Sequence, residues 1–247
     1  MSAPVIPFVE RLRGLIHPAD RRNDLLERLP VKSVTVAKGA EIIAIGSSSK
    51  QVVTIGEGIA MRYRLMPDGG RQIIMFLVAG DSCNSNLFNA TPIDHSIAAV
   101  TPVRLDRIEH GSMLSLLKAM PDINEALWHM ADQQDSIMRD RITSLGRCGA
   151  RMRVAILLWE LVTRLQGLGN RMTPVVIPIT QAMLADAVGV THIHFNRVVA
   201  DFCRMGMLTT KRGNLLIVDP RILETMAAPL GSAYYLPMRS AAHQLTL

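Results

Sequence analysis

The chain has 247 residues, 49% of them apolar and 19% charged, with a formal charge of +6. That composition excludes a disordered chain and leaves room for two modest domains or one large one. No run approaches the eighteen or so unbroken apolar residues of a membrane span. The first residues, with acidic Glu10 and no apolar centre, do not read as a signal peptide. Cys83, Cys148 and Cys203 are odd in number and far apart, so neither a disulfide framework nor a CxxC metal pair is expected. A cytoplasmic protein is the simplest expectation, with no membrane partner.

Residues 5–30 carry a helical pattern (Phe8, Leu12, Leu15, then Leu25, Leu26, Leu29) interrupted near Pro18. From Val31 the period changes. Short β-type runs follow one another, separated by Gly39, Gly46, Gly58, the Pro67-Asp68-Gly69-Gly70 turn and Gly80-Asp81, and ending with strands at 96–100 and 103–108. Many short strands with Gly-rich turns suggest a small barrel or sandwich. After Gly111 the pattern is helical. A short helix stops at Pro121, and a longer one runs from Asp122 to about Leu145 with Ile123, Leu127, Met130, Gln134 and Ile137 at near-heptad spacing. Such a stripe can pack on the barrel or against a copy of itself. Another helix spans 152–165, and 174–178 is a short extended piece.

Residues 180–199 read as two short helices joined by a tight turn at Gly189. Leu184, Ala185 and Val188 form the inner face of the first. Thr191 caps the second, which buries Phe195 and Val198. Outward on that second helix remain Thr191, His192, His194, Asn196 and Arg197. This is the helix-turn-helix pattern, whose second helix enters a major groove. Leu208 to Val218 then reads as a hairpin with Lys211-Arg212 at its tip, the wing of a winged variant. Charge agrees with this placement. Residues 1–145 hold 16 basic and 16 acidic side chains, whereas residues 146–247 hold 11 and 5. The whole excess sits beside the helix-turn-helix, as a polyanion partner requires.

The order of β-roll, long helix and winged helix-turn-helix over roughly residues 30–220 resembles the CRP/FNR family of bacterial transcription regulators. The matching residues are Gly39, Gly46, Gly58 with Arg62, Asp68-Gly69 and Gly80-Asp81 in the β-roll. In the DNA-binding part they are Ile179-Thr180-Gln181, Leu184-Ala185, Gly189-Val190, Asn196-Arg197 and Gly206. The resemblance implies an α+β fold. A cyclic-nucleotide-binding-like β-roll with flanking helices (1–120) precedes a dimerisation helix (121–146) and a winged helix-turn-helix domain (147–247). It further implies a homodimer joined along the long helix, a palindromic site on double-stranded promoter DNA, and RNA polymerase as a partner.

Departures from the family bear on mechanism. Its cyclic-nucleotide binders carry Gly-Glu-Leu after Gly-Asp and an Arg-Ser about ten residues on. Here Asn84, Ser85 and Asn86 stand in the first place and His95-Ser96 in the second. Without the glutamate and arginine, the charge-assisted bonds to ribose and cyclic phosphate are missing. No cAMP binding is expected, and Ser85, His95 and Ser96 are left as candidates for another effector. No cysteine precedes Cys83, which excludes the four-cysteine iron–sulfur site of the oxygen-sensing branch. His17, His95, His110 and His129 are isolated histidines, more often satisfied side chains than haem ligands, so no cofactor and no metal are expected. Cys203 is a packing residue before it is a redox switch.

In the recognition helix, His192-Ile193 replaces the Arg-Glu of many members, while Arg197 matches the later arginine. His192, His194, Asn196 and Arg197 are candidate base contacts, and Thr180, Thr191, Lys211 and Arg212 candidate phosphate contacts. The alternative is a small-molecule-binding sensor with a vestigial DNA module. An enzyme has no support, because no nucleophile elbow, metal-ligand run or phosphate loop occurs.

Overall fold

The structure, a computed structural model, describes residues 6–16, 23–84, 91–166, 174–211 and 213–230. Two compact units emerge, one built chiefly from Met1–Arg64 and Phe76–Asp132, the other from Leu65–Met75 and Gln133–Pro237.

In the first unit, α1 (Pro7–Leu15) and α2 (Asn23–Glu27) precede strands β1 (Val31–Val36), β2 (Glu41–Ile43), β3 (Gln51–Glu57), β4 (Ala60–Leu65), β5 (Arg71–Leu77), β6 (Ser96–Ala99) and β7 (Val103–Glu109). They form a three-stranded sheet in the order β1-β7-β3 and a four-stranded sheet in the order β2-β6-β4-β5. The β3 run Val52-Val53-Thr54-Ile55 is buried on both faces, with the Thr54 hydroxyl donating to the Asp106 carbonyl at 3.2 Å. Gly58 leads from β3 into β4 with φ of 84°, and a Cβ there would lie 2.2 Å from the Pro102 carbonyl oxygen. Only glycine fits.

Helix α3 (His110–Ala119) runs straight on from β7, and α4 (Asp122–Arg147) follows after Pro121. Phe8 and Leu12 of α1, Met113, Leu116 and Leu117 of α3, and Ile123, Ala126 and Met130 of α4 share one buried cluster. That decides between the two partners open to the α4 stripe over its first turns: it packs on its own unit. Asp81 is buried and bonded to α1 through Arg11. Its Oδ1 accepts from Arg11 Nη1 at 2.7 Å and its Oδ2 from the Val78 amide at 2.9 Å.

The second unit holds the rest of α4, α5 (Ala150–Gln166), β8 (Val175–Ile177), α6 (Gln181–Val188), α7 (His192–Arg204), β9 (Leu208–Lys211), β10 (Asn214–Ile217) and α8 (Pro220–Ala227). Arg141 of α4 donates to Glu160 of α5 at 2.6 Å, and Arg164 donates to the same carboxylate at 2.9 Å, all three side chains buried. The extended piece at 174–178 gains a role that its sequence did not reveal. As β8 it pairs with β10, so the wing sheet has three strands in the order β8-β10-β9.

Two large apolar side chains of α4 stay outside. Trp128 is 76% exposed and Ile142 67%. Separated by fourteen residues, about four helical turns, they lie on one face, away from the buried stripe.

Candidate nucleic-acid interface

Helix α6 starts at Thr180, whose hydroxyl oxygen accepts from the Met183 amide at 3.3 Å. It ends at Gly189, in the left-handed conformation with φ of 65°. The Val190 amide returns to the Ala185 carbonyl at 3.2 Å, closing the turn. Thr191 then caps α7 by accepting from the His194 amide at 3.3 Å. Each capping oxygen uses a lone pair, so the hydroxyl proton of both threonines can still be donated to a phosphate. Neither α6 nor α7 has an acidic residue in its first turn, which leaves the positive ends of both helices uncancelled.

Phe195, Val198, Val199 and Phe202 are the buried side of α7, against Leu184, Ala185 and Val188 of α6 and the surrounding core. Thr191, His192, His194, Asn196 and Arg197 are all exposed. The structure therefore brings the sequence-derived base-contact candidates together, all exposed, on the first two turns of one helix. His194 and Arg197 also border a cavity of about 560 Å³ with Gly149 and Arg151 at the start of α5. Arg151 was not legible as part of this surface. Its guanidinium lies 5.8 Å above the Phe202 ring and its Nη2 reaches the Met205 sulfur at 2.7 Å. Sequence reasoning also passed over Ala200 and Arg204, which are exposed and which a helical projection places on the outward side with Ile193.

The wing sets Lys211 opposite Asn214, with the chain turning at Gly213, φ 80°. Lys211 is exposed on β9, as are Thr209 and Thr210. Arg212 lies outside the described residues.

The sensor-side candidates sit in a different environment. Arg62, Asn84, Ile93, Asp94 and His95 line a cavity of about 320 Å³. Asn84 is only 5% exposed. Its side chain accepts from the Val53 amide at 2.9 Å and donates to the Gln51 carbonyl at 2.8 Å, so it holds the backbone. His95 Nδ1 is 2.8 Å from an Asp94 carboxylate oxygen, and Arg64 donates to the other oxygen at 2.7 Å. Burial lowers the His95 pKa, opposed by the bond to Asp94, and the ring is neutral near pH 7. The bond from His95 in turn lowers the Asp94 pKa. Ser96 at the start of β6 accepts from the Ile45 amide at 3.1 Å. Ser85 lies outside the described residues. Buried Arg62 brings a cation to this cavity from β4, a role hidden in a strand sequence that reads as ordinary alternation.

The cysteines are unpaired thiols. Burial pushes the Cys83 pKa up to about 12, and desolvation raises that of Cys203, against thiolate chemistry at either position. Among the described residues no three His, Cys, Asp or Glu side chains gather to hold a metal, and no helix is long and apolar enough to cross a membrane.

Residues 33–120 match the model of the cyclic nucleotide-binding domain and residues 152–226 that of the Crp-like helix-turn-helix domain. The transcriptional activatory protein AadR of Rhodopseudomonas palustris is 28% identical over 220 residues, spanning 87% of this chain and 88% of AadR. The nitrogen fixation regulation protein FixK of Bradyrhizobium diazoefficiens is 26% identical over 198 residues, spanning 80% of this chain and 82% of FixK. The solved structure of FixK2 from Bradyrhizobium japonicum superposes with a TM-score of 0.69 at 20% identity, over 80% of this chain and 98% of that one. A β-roll of the cyclic-nucleotide-binding type joined to a winged helix-turn-helix defines a DNA-binding transcription regulator. The chain belongs to the CRP/FNR family.

Proposed function

We propose that the protein acts in the cytoplasm as a homodimer on palindromic promoter DNA, and that cAMP plays no part. The observation that carries this reading is the outward face of α7, exposed from Thr191 through Arg197 except for the buried anchor Phe195. His192, His194, Asn196 and Arg197 contact base edges, with Arg197 suited to bidentate bonds to guanine. Thr180, Thr191, Lys211 and Arg212 contact phosphates and set the register. The exposed Trp128 and Ile142 face of α4 supplies the dimer contact, which places two α7 helices on half-sites one helical turn apart, about 34 Å, or a multiple of it. RNA polymerase is the partner through which a bound dimer alters transcription.

Against cAMP stand Ser85 where the family's binders place a glutamate and the neutral, Asp94-bound His95 where they place an arginine. A cyclic phosphate there meets an imidazole lone pair instead of a guanidinium. Any effector is a molecule of different chemistry, taken up beside Arg62, His95, Ser85 or Ser96. Selection of random duplexes on the purified full chain tests the DNA reading: enrichment of a palindrome supports it. Recovery of unrelated sequences leaves the small-molecule sensor with a vestigial DNA module. Isothermal titration with cAMP tests the second claim, and micromolar binding would overturn it.

A further inference from the structure

Ile193 is 69% exposed, in the first turn of α7 between two histidines. Among the described residues it is the one large apolar side chain within α7 that is exposed. Folding gives no reason for it there. The buried side of the helix is complete with Phe195, Val198, Val199 and Phe202, and a β-branched residue is a mediocre helix former on a solvated face. At about 100° per residue, Ile193, Arg197, Ala200 and Arg204 fall within roughly 60° of one another, opposite that buried stripe. His192 and His194 flank them on either side. Ile193 therefore lies on the midline of the surface that α7 turns to a groove, one turn before Arg197.

We infer that Ile193 is a specificity-determining residue that reads the 5-methyl group of a thymine in each half-site. This deepens the DNA reading above and rests on it. The major-groove edge of B-DNA is a row of hydrogen-bond donors and acceptors interrupted by one apolar group, the thymine methyl. An isoleucine has nothing to offer a guanine O6 or a cytosine N4 amine, and covering either removes water without replacing its bonds. Against the methyl the same side chain buries apolar surface on both partners. The family's glutamate at this position accepts from cytosine, so its replacement by Ile193 changes the favoured pair from C·G to T·A. One helical turn rises about 5.4 Å and base pairs are about 3.4 Å apart. The thymine consequently stands one or two base pairs from the guanine contacted by Arg197.

The test uses the full chain and a duplex obtained by selection from random sequence. Each thymine of a half-site is replaced in turn by deoxyuridine, which lacks only the methyl, and affinity is measured by gel shift. The wild-type protein loses about fourfold in affinity per half-site at one thymine, as expected for one buried methyl. Ile193→Ala, whose fold is checked by circular dichroism, binds the thymine and deoxyuridine duplexes equally. Ile193→Glu moves the selected base at that position towards cytosine. Equal binding of the two duplexes by the wild type would overturn the inference while leaving DNA recognition intact. An undiminished methyl effect in Ile193→Ala would also overturn it, by assigning the methyl to another side chain. Failure to select any duplex would overturn the DNA reading itself, and this inference with it.

Discussion

The β-roll and the DNA-binding end put their polar side chains to opposite uses. In the β-roll, Asp81, Asn84, Thr54 and Asp106 are buried and bonded to neighbouring side chains or backbone. On α7 and the wing, His192, His194, Asn196, Arg197 and Lys211 project outward with the apolar side of the helix wholly beneath them. A residue that departs from a family pattern therefore means different things in the two places. Asn84 departs and has become a backbone clamp. His192-Ile193 departs and changes what the helix offers to a partner.

If the contrast is sound, substitutions in the two regions should separate stability from recognition. The largest effect is expected at Asp81. Asp81→Ala leaves Arg11 without its buried carboxylate and the Val78 amide without its acceptor. Loss of a buried ionic partner costs about 3–5 kcal/mol, to be read as a fall in the urea midpoint. Sequence preference in the surviving folded fraction should be unchanged. Arg197→Ala should do the reverse, weakening specific binding by about 1–3 kcal/mol with discrimination lost at one base and no shift in the urea midpoint. Thr191→Ala lies between the two, because its hydroxyl serves both helix and phosphate. A cap is worth about 1 kcal/mol, and affinity should fall for all sequences alike. Lys211→Ala should lower affinity without altering the preferred site and reduce the salt slope by about one.

The smallest effect is a pH dependence at His95. Its folded pKa lies below the ordinary histidine value near 6.5, so the unfolded chain takes up that proton first. The stability contributed by His95 is complete above about pH 6.5 and is lost as pH falls from there towards the folded value. Asp94, with its own pKa lowered, adds its loss only at more acid pH, below the ordinary carboxylate value. Urea midpoints measured across pH 5–7 should decline for the wild type and flatten for His95→Asn.

Much of the fold was legible because local signals agreed with one another. The change from helical to alternating period at Val31, the left-handed turn at Gly189 and the Thr191 cap each fix a local geometry, and the structure has them all. Less legible were features created by packing between distant segments. The α4 pattern alone did not say which partner covers Ile123 and Met130; that depended on Phe8 and Leu12 arriving from α1. Pairing of Val175–Ile177 with β10 needed a partner forty residues away. In the site, the exposed residues of α7 were readable from the helical period, because Phe195 and Val198 mark the opposite side. Arg62 and Arg151 were not, since a charged residue in a strand or at a helix start carries no sign of the cavity it borders. Ile193 was seen as a departure, but its place on the midline emerged only once Val199 and Phe202 had fixed the orientation of the helix.

Recognition by this protein rests on the outward face of α7 reading sequence without help from a cyclic nucleotide. The most direct test is a gel shift of the full chain on its selected duplex and on a scrambled one, with and without cAMP, for the wild type and Arg197→Ala. The wild type should prefer the selected duplex by about a thousandfold or more, cAMP should leave this ratio unchanged, and Arg197→Ala should reduce it. Equal affinity for both duplexes, or a preference that appears only when cAMP is added, would contradict this mode of recognition.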